Sequence, residues 1–286
     1  MSIQIEHLSY AYRLPSGEKV EALKEITCTI ATGDFVGIMG PTGSGKTTLL
    51  QLIAGLRRPT GGRIRLNGKD INAHGYNRNL LRQMVGVVFQ EPENQLFATT
   101  VEKDVAFGLK YSGLSRPEIT ARVQWALETM GFDFEKIRNQ SPLALSGGEK
   151  RRVAIAGVLA TKPQILLFDE PIAGLDPYSR QHFLHFVTKI NQAGTTIIMV
   201  SHNMEALAEY TRHLLVLAQG RLIDSGPTRE VFIRLKQKHS GAFGQTEAQK
   251  ITTLLAKNKL VLPAAVVTYD DLLSALKQEL AGGGPG

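Results

Sequence analysis

An α/β fold built around a parallel sheet is predicted by three features of the chain. Short apolar runs alternate with helix-like stretches in the second half. A glycine-rich loop separates a strand from a helix near residue 40. An apolar strand near residue 168 ends in two adjacent carboxylates. Strands alternating with helices imply parallel pairing, because the chain must cross back over the sheet between neighbouring strands.

The elements follow in order. From Ser2 to Leu8 polar and apolar residues alternate, as in a half-buried strand. Phe35–Gly40 is a short apolar strand, Thr47–Leu56 a helix, and Val85–Phe89 a second buried strand. Between residues 91 and 144 the strand-like runs disappear. Arg116–Met130 places Ile119, Val123, Ala126, Leu127 and Met130 on one helical face, with Ser115 as N-cap, Pro117 in the first turn and Gly131 as the stop. Strands resume at Ile165–Phe168 and Thr195–Ser201, with a helix over Ser179–Gln192 between them. Leu214–Asp224 reads as a hairpin turning at Gly220. Beyond residue 228 helices are expected over Thr228–Leu235 and Asp270–Leu280, and the Gly- and Pro-rich end, 282–286, is expected to be a disordered tail.

Composition narrows the functional classes. The 286 residues suffice for a large domain with an appendage, and 43% hydrophobic with 21% charged residues is ordinary for a globular chain. No apolar run approaches the 18 residues of a membrane span, and the N-terminus lacks the apolar centre of a signal peptide. The expectation is a protein that stays in the compartment where it is made. Cys28 is the sole cysteine, so no internal disulfide can form, and it is expected to pack in the core. The net charge of +7 comes from dispersed basic residues, and a single Trp offers no stacking platform, so nucleic acid is not an expected partner.

The chemistry sits in two motifs. Gly40, Pro41, Thr42, Gly43, Ser44, Gly45, Lys46 and Thr47 read GPTGSGKT, and Thr48 follows. Glycines let the backbone curl so that successive amides point at phosphate oxygens, and the following helix adds the positive end of its dipole. Lys46 then reaches the outer phosphates, and the Thr47 hydroxyl can ligate Mg²⁺. Ile165–Glu170 reads ILLFDE, an apolar strand ending where α/β sheets place ligands. Asp169 is expected to hold Mg²⁺ and Glu170 to act as general base toward water. With the phosphate loop upstream, these residues describe a P-loop NTPase. A third motif, LSGGEKRR over Leu145–Arg152, puts Ser146, Gly147 and Gly148 at a second helix start suited to phosphate.

These motifs, in this order, resemble the ABC ATPase family, whose signature is LSGGQ, over about residues 3–230. The resemblance implies a RecA-like core with an N-terminal antiparallel β subdomain, a helical signature subdomain and a short α-helical C-terminal extension. The implied boundaries are 1–90 and 164–228 for the ATP-binding core, 91–163 for the helical part and 229–281 for a dimerisation extension. It implies that two chains enclose ATP head to tail, the signature Ser146–Glu149 of one facing the phosphate loop of the other. Gln90 resembles the family's Q-loop glutamine, touching Mg²⁺ and water. Asp176 of AGLD resembles the D-loop at the dimer interface, and His202 the switch histidine at the γ-phosphate. Tyr12 resembles the aromatic that stacks on adenine, with Tyr10 as the alternative. Two positions depart from the pattern: Glu149 replaces the signature Gln, and Ile172 replaces a Thr after the acidic strand.

Within the family, EPENQLFATTVEKDVAFG over Glu91–Gly108 resembles ATPases of energy-coupling-factor importers of vitamins, cobalt and nickel. There the segment forms an extra short helix against a transmembrane coupling subunit. LSGGEKRRVAIAGVLA, DEPIAGLDP and the LPSGEKVEAL insertion resemble the second of the two ATPases in such systems. The implied partners are a homologous ATPase, the coupling subunit and a substrate-binding membrane S-component, with the chain peripheral at the cytoplasmic membrane face. The competing readings are another ABC importer or exporter cassette, a repair or translation cassette, and a regulatory cassette that binds ATP without turning it over.

Overall fold

The computed structural model describes residues 2–110, 112–238, 243–258, 260–263 and 265–282. Two sheets are present. The first is antiparallel, with strands β1 (Ile3–Arg13), β2 (Lys19–Ile30), β4 (Gly61–Leu66) and β5 (Lys69–Asp70) in the order β2-β1-β4-β5. The second comprises β3 (Phe35–Met39), β6 (Val85–Val88), β7 (Ile165–Asp169), β8 (Thr196–Val200), β9 (His213–Ala218) and β10 (Arg221–Pro227). Its order is β10-β9-β3-β8-β7-β6, parallel except for the β9–β10 hairpin.

Strands β3, β7 and β8 are buried at every position, as expected of a sheet covered on both faces. The period of two still decides which core each residue joins. Val36, Ile38, Ile165, Leu167, Ile198 and Val200 face the antiparallel sheet. Phe35, Met39, Leu166, Phe168, Ile197 and Met199 face the opposite, helical layer. Helix α1 (Lys46–Ile53) lies between the two sheets and buries Leu49, Leu50, Leu52 and Ile53 there. Each such side chain stabilises the layer by roughly 1.5–3 kcal/mol, so the loop before α1 is anchored by the helix that follows it.

Helix α2 (Arg78–Met84) precedes β6. Helices α3 (Val101–Ala106), α4 (Arg116–Thr129), α5 (Phe134–Ile137) and α6 (Gly147–Leu159) fill the segment between β6 and β7. The start of α4 is the predicted one: Ser115 and Glu118 form a reciprocal capping box, Pro occupies the first turn, and Gly131 follows with φ +81°. Val123, Ala126 and Leu127 of the predicted face are fully buried. After β6 a short 3-10 helix, Pro92–Gln95, sits where the resemblance placed an extra short helix. Cys28 is only half-buried, packed at the edge of the antiparallel core, and burial still pushes its thiol up to about 11.

Helix α7 (Pro177–Gln192) starts two residues earlier than the spacing suggests, because Asp176 caps it and Pro177 presets its first turn. Helix α8 (Met204–Tyr210) follows β8. The C-terminal region holds α9 (Thr228–Lys238), α10 (Glu247–Lys257) and α11 (Tyr269–Gly282). Val231, Phe232 and Leu235 of α9 join the main core, whereas α10 and α11 enclose a small core of their own around Ala248, Leu262, Val266, Leu272 and Ala275. Of the expected tail, Gly282 ends α11 and 283–286 lie outside the described residues.

Candidate functional site

The phosphate-binding loop runs from the end of β3 into α1, and its glycines are required by its neighbours. Gly40 has φ +152°, and a Cβ there would meet Leu217 O at 2.1 Å. Gly45 has φ +102°, and a Cβ there would meet Ala22 O at 2.6 Å. Strands β9 and β2 thus press on the loop from both ends. Gly45 is the N-cap of α1 and supplies no side chain to cap it. Pro41, Thr42, Gly43 and Thr47 are exposed, while Ser44, Lys46 and Thr48 are buried. Lys46 Nζ donates to Gly40 O at 2.8 Å and Pro41 O at 2.9 Å. Burial lowers its pKa, against the opposing pull of Glu170 and Asp169. The buried Ser44 hydroxyl has no hydrogen-bond partner.

Asp169 and Glu170 end β7 at the same sheet edge. Burial raises the Asp169 pKa, and a hydrogen bond with Thr47 and the charge of Lys46 oppose it. Glu170 is held at φ +51°, an uncommon backbone for a side chain with a Cβ. Its amide donates to Val200 O at 3.1 Å and its carbonyl accepts from Ala173 N at 3.3 Å. Its Oε2 accepts from His202 N at 3.2 Å, and His202 Nε2 lies 3.4 Å from Oε1, which has no hydrogen bond of its own. Burial raises the Glu170 pKa, and the charge of His202 opposes it most. Lys46, Thr47, Asp169, Glu170 and His202 thus form one connected cluster.

Tyr12 joins this cluster through α1. Its hydroxyl lies 2.9 Å from Thr48 Oγ1, and its ring packs edge-on to Tyr10 at 4.9 Å. Arg57 was not foreseen. Its guanidinium lies 4.9 Å from the Tyr12 ring centre, and it donates to Tyr10 Oη at 3.0 Å and Gln51 Oε1 at 2.6 Å. Of the two tyrosines, Tyr12 is the one bonded to the phosphate-loop helix. The arginine sits in no motif, so only the fold reveals it.

Gln90 follows β6 and is exposed. Because Val88 pairs with Phe168, it leaves the sheet at the edge carrying Glu170. The signature lies elsewhere. Ser146, Gly147 and Gly148 are exposed, and a Cβ at either glycine would touch nothing within 4 Å. Among the described residues no hydrogen bond joins Ser146–Glu149 to residues 40–48. Ser146 caps α6, and Glu149 Oε2 accepts in return from Ser146 N at 2.9 Å and Ser146 Oγ at 2.6 Å. Those bonds hold the Glu149 carboxyl below its usual range. Besides standing in the signature, Glu149 closes its own helix start. Asp176 Oδ1 accepts from Ser179 N at 3.0 Å as the cap of α7, and Ile172 is buried in the main core.

The comparisons agree with this geometry. The family model described as ABC transporter matches residues 23–173. The energy-coupling factor transporter ATP-binding protein EcfA2 of Symbiobacterium thermophilum is 41% identical over 99% of this chain and 98% of its own length. The protein of that name from Acetivibrio thermocellus is 42% identical over 98% of both. Among solved structures, cbiO1 of Clostridium perfringens, described as part of the ABC transporter complex cbiONQ, superposes with a TM-score of 0.73. It is 35% identical, and the match covers 89% of this chain and 98% of that one. The ATP-binding cassette MJ0796, in a dimeric post-hydrolysis state bound to ADP and Pi, gives a TM-score of 0.70 at 30% identity, covering 79% and 98%. With the family model matching more than half of the chain and such identity to these relatives over nearly its full length, the chain belongs to the ABC transporter family, among its energy-coupling-factor ATP-binding proteins.

Proposed function

We propose that this chain is the ATP-hydrolysing subunit of an energy-coupling-factor importer of vitamins or transition-metal ions. It pairs with a second, homologous ATPase and sits peripherally at the cytoplasmic membrane face. Above the pair are a transmembrane coupling subunit and a substrate-binding S-component. The observation that carries the reading is the Lys46–Asp169–Glu170–His202 cluster set apart from an exposed signature in the same chain. One half of an ATP site is assembled, and the other half faces outward for a neighbour. Near-full-length identity to the EcfA2 proteins supports the importer type. Among the described residues no helix is long and apolar enough to cross a membrane, in keeping with a transport role exercised through membrane partners.

The division of labour is carried over from the family resemblance. Residues 1–90 and 164–228 form the ATP-binding core, 91–163 the helical part with the signature, and 229–281 the extension that helps two ATPases pair. Amides of Gly40–Thr48 and the Lys46 ammonium bind the phosphates, and Tyr12 stacks on the adenine. The orphaned Ser44 Oγ and Glu170 Oε1 are buried polar atoms suited to face phosphate oxygens or the attacking water. Glu170, with its pKa raised by burial, takes a proton from water, and His202, already against it, steadies the γ-phosphate. Ser146–Gly148 of the paired subunit close over the same nucleotide, and Asp176 lies at that interface.

The family implies a magnesium ion. Thr47, Asp169 and Gln90 offer oxygen donors of the kind a hard cation takes, and Thr47 lies near enough to Asp169 to oppose the rise in its pKa. So few protein ligands suit an ion that completes its shell with phosphate and water. When bound, it neutralises charge on the phosphates.

Replacing Glu170 with Gln in the assembled complex should lower ATP turnover by about a hundredfold or more while ATP still binds. Wild-type turnover in that variant would rule out Glu170 as the base.

A further inference from the structure

Arg151 lies in α6, five residues past the signature serine, and is almost wholly buried. It is the first of the two arginines that follow Lys150, and no motif assigns it a role. Its guanidinium reaches out of its own helix to the turn that follows Glu170: Nη2 donates to Pro171 O, and Nη1 donates to Ala173 O at 3.3 Å. That turn is the one whose Ala173 amide bonds back to Glu170 O and keeps Glu170 at φ +51°. The short helix Pro92–Gln95, just after Gln90, packs against α6, and the charges of its Glu93 and of Glu91 act on Arg151. The Arg151 Nε and the Glu93 Oε2 are both buried without a hydrogen-bond partner. Opposite charges in this setting attract without a direct hydrogen bond between them.

We propose that Arg151 is a positioning residue that links the Glu91–Glu93 segment to the turn behind Glu170, so that a displacement of that segment changes the setting of the base. This rests on the reading of Glu170 as the base. The physical chain is short. Glu93 and Glu91 hold the guanidinium charge in place. The guanidinium holds two carbonyls of a turn. The turn holds Glu170, whose backbone sits at φ +51°. Drawing the acidic segment away leaves a buried cation with weaker compensation, and the fork on Pro171 and Ala173 must then shift or loosen. A small misplacement of a base is expensive in rate, about a hundredfold for 1 Å, so the arrangement converts a local movement into a change in turnover. An arginine is needed because one planar fork addresses two carbonyls while presenting charge on its other edge; a lysine can satisfy only part of this.

The test uses the intact transporter complex carrying Arg151→Met, Arg151→Lys, Glu93→Gln or Arg151→Met with Glu93→Gln, beside Glu170→Gln. Steady-state hydrolysis is measured over a range of MgATP, with thermal midpoints for each variant. Arg151→Met should lower kcat by between about tenfold and a hundredfold, with KM for ATP within about twofold, and Arg151→Lys should recover part of the loss. Glu93→Gln should lower kcat less, and the double variant should be no slower than Arg151→Met alone, because both act through one link. Multiplying effects in the double variant overturn the proposal. So does an unchanged kcat in Arg151→Met, or a kcat loss that tracks thermal midpoint and is not relieved by lysine. Glu93→Gln keeps the test decisive if Arg151→Met fails to fold, since a normal kcat there also overturns it. If Glu170→Gln turns over normally, the base assignment itself fails; if Glu170→Gln is inactive and the Arg151 variants are normal, only the link fails.

Discussion

The two helix starts in this chain carry similar glycine-rich sequences and are finished in opposite ways. Helix α1 begins at Gly45 with no side-chain cap, and its first residue is a buried lysine. Helix α6 begins at Ser146 with a complete capping box, and its third residue, Glu149, returns a carboxylate to the cap. A helix start leaves amides unpaired, and something must satisfy them. At α1 that role is open to a ligand, and the structure adds a cation. At α6 the chain satisfies the need itself with an anion. On the proposed function the first start would hold phosphate on its own, and the second only when something else outweighs Glu149.

The sharpest way to break this comparison is to remove the cation from the first start. Lys46→Ala leaves the glycine loop and α1 in place but removes the buried cation bonded into that loop. ATP hydrolysis by the complex should fall by about two to three orders of magnitude, in the range seen when one preorganised stabilising donor is lost. Equilibrium nucleotide binding to the purified chain should weaken in parallel. If binding and turnover survive, the loop amides alone suffice and the contrast between the two starts is one of sequence only.

A smaller effect separates the carboxylates nearest each start. Glu170 is buried beside α1 and its pKa is raised; Glu149 is exposed at α6 and its pKa is lowered by its bonds from Ser146. A site-resolved carboxyl NMR titration of the nucleotide-free chain should place Glu170 above the ordinary glutamate value of about 4.3 and Glu149 below it. The signs carry to stability. The Glu149 contribution is present above the ordinary glutamate pKa and fades as pH falls through its lower folded value. The Glu170 contribution is present at low pH and fades as pH rises through its higher folded value. Finding the order reversed would mean that burial does not control the base.

The same contrast explains what could be read without a structure. Residues 40–48 and 165–170 are legible because phosphate chemistry dictates both residue type and spacing, and the strands before them are apolar throughout. The capping of α4 was legible for a similar reason: Ser115, Pro117 and Gly131 act locally. Helix α10 was not. Its buried face includes Gln249 and Thr252 beside Ala248, with Gln249 Nε2 donating to Phe232 O at 3.2 Å and Thr252 Oγ1 donating to Ala248 O at 2.7 Å. These polar positions interleave with the helically spaced Ala248, Ile251 and Leu255 and thin the apolar signal, although the Thr246–Gln249 capping box was there to be found. Arg57 and Arg151 escaped because their partners are 45 and 20 or more positions away in sequence respectively, at Tyr12 and at Pro171–Ala173. Long-range contacts by a flexible cation leave no local pattern.

The finest test of the comparison removes only the charge from the second start. Gln at position 149 can still complete a capping box, since the motif accepts Glu or Gln at the third helical position. Glu149→Gln should therefore cost the chain only the charge's share of stability at the helix start, about 0.3–1 kcal/mol. What changes is the field at the tip of α6, where a carboxylate now offsets the positive end of the helix dipole. If the signature closes over a neighbour's nucleotide, removing that negative charge favours closure. ATP should then promote pairing of the hydrolysis-deficient Glu170→Gln background at about two- to fivefold lower concentration, the scale of one charge at a helix end. The effect should shrink with added salt, because Glu149 is exposed. An affinity that stays put at low salt would show that the γ-phosphate never comes within reach of this helix, and the two starts would not share a ligand.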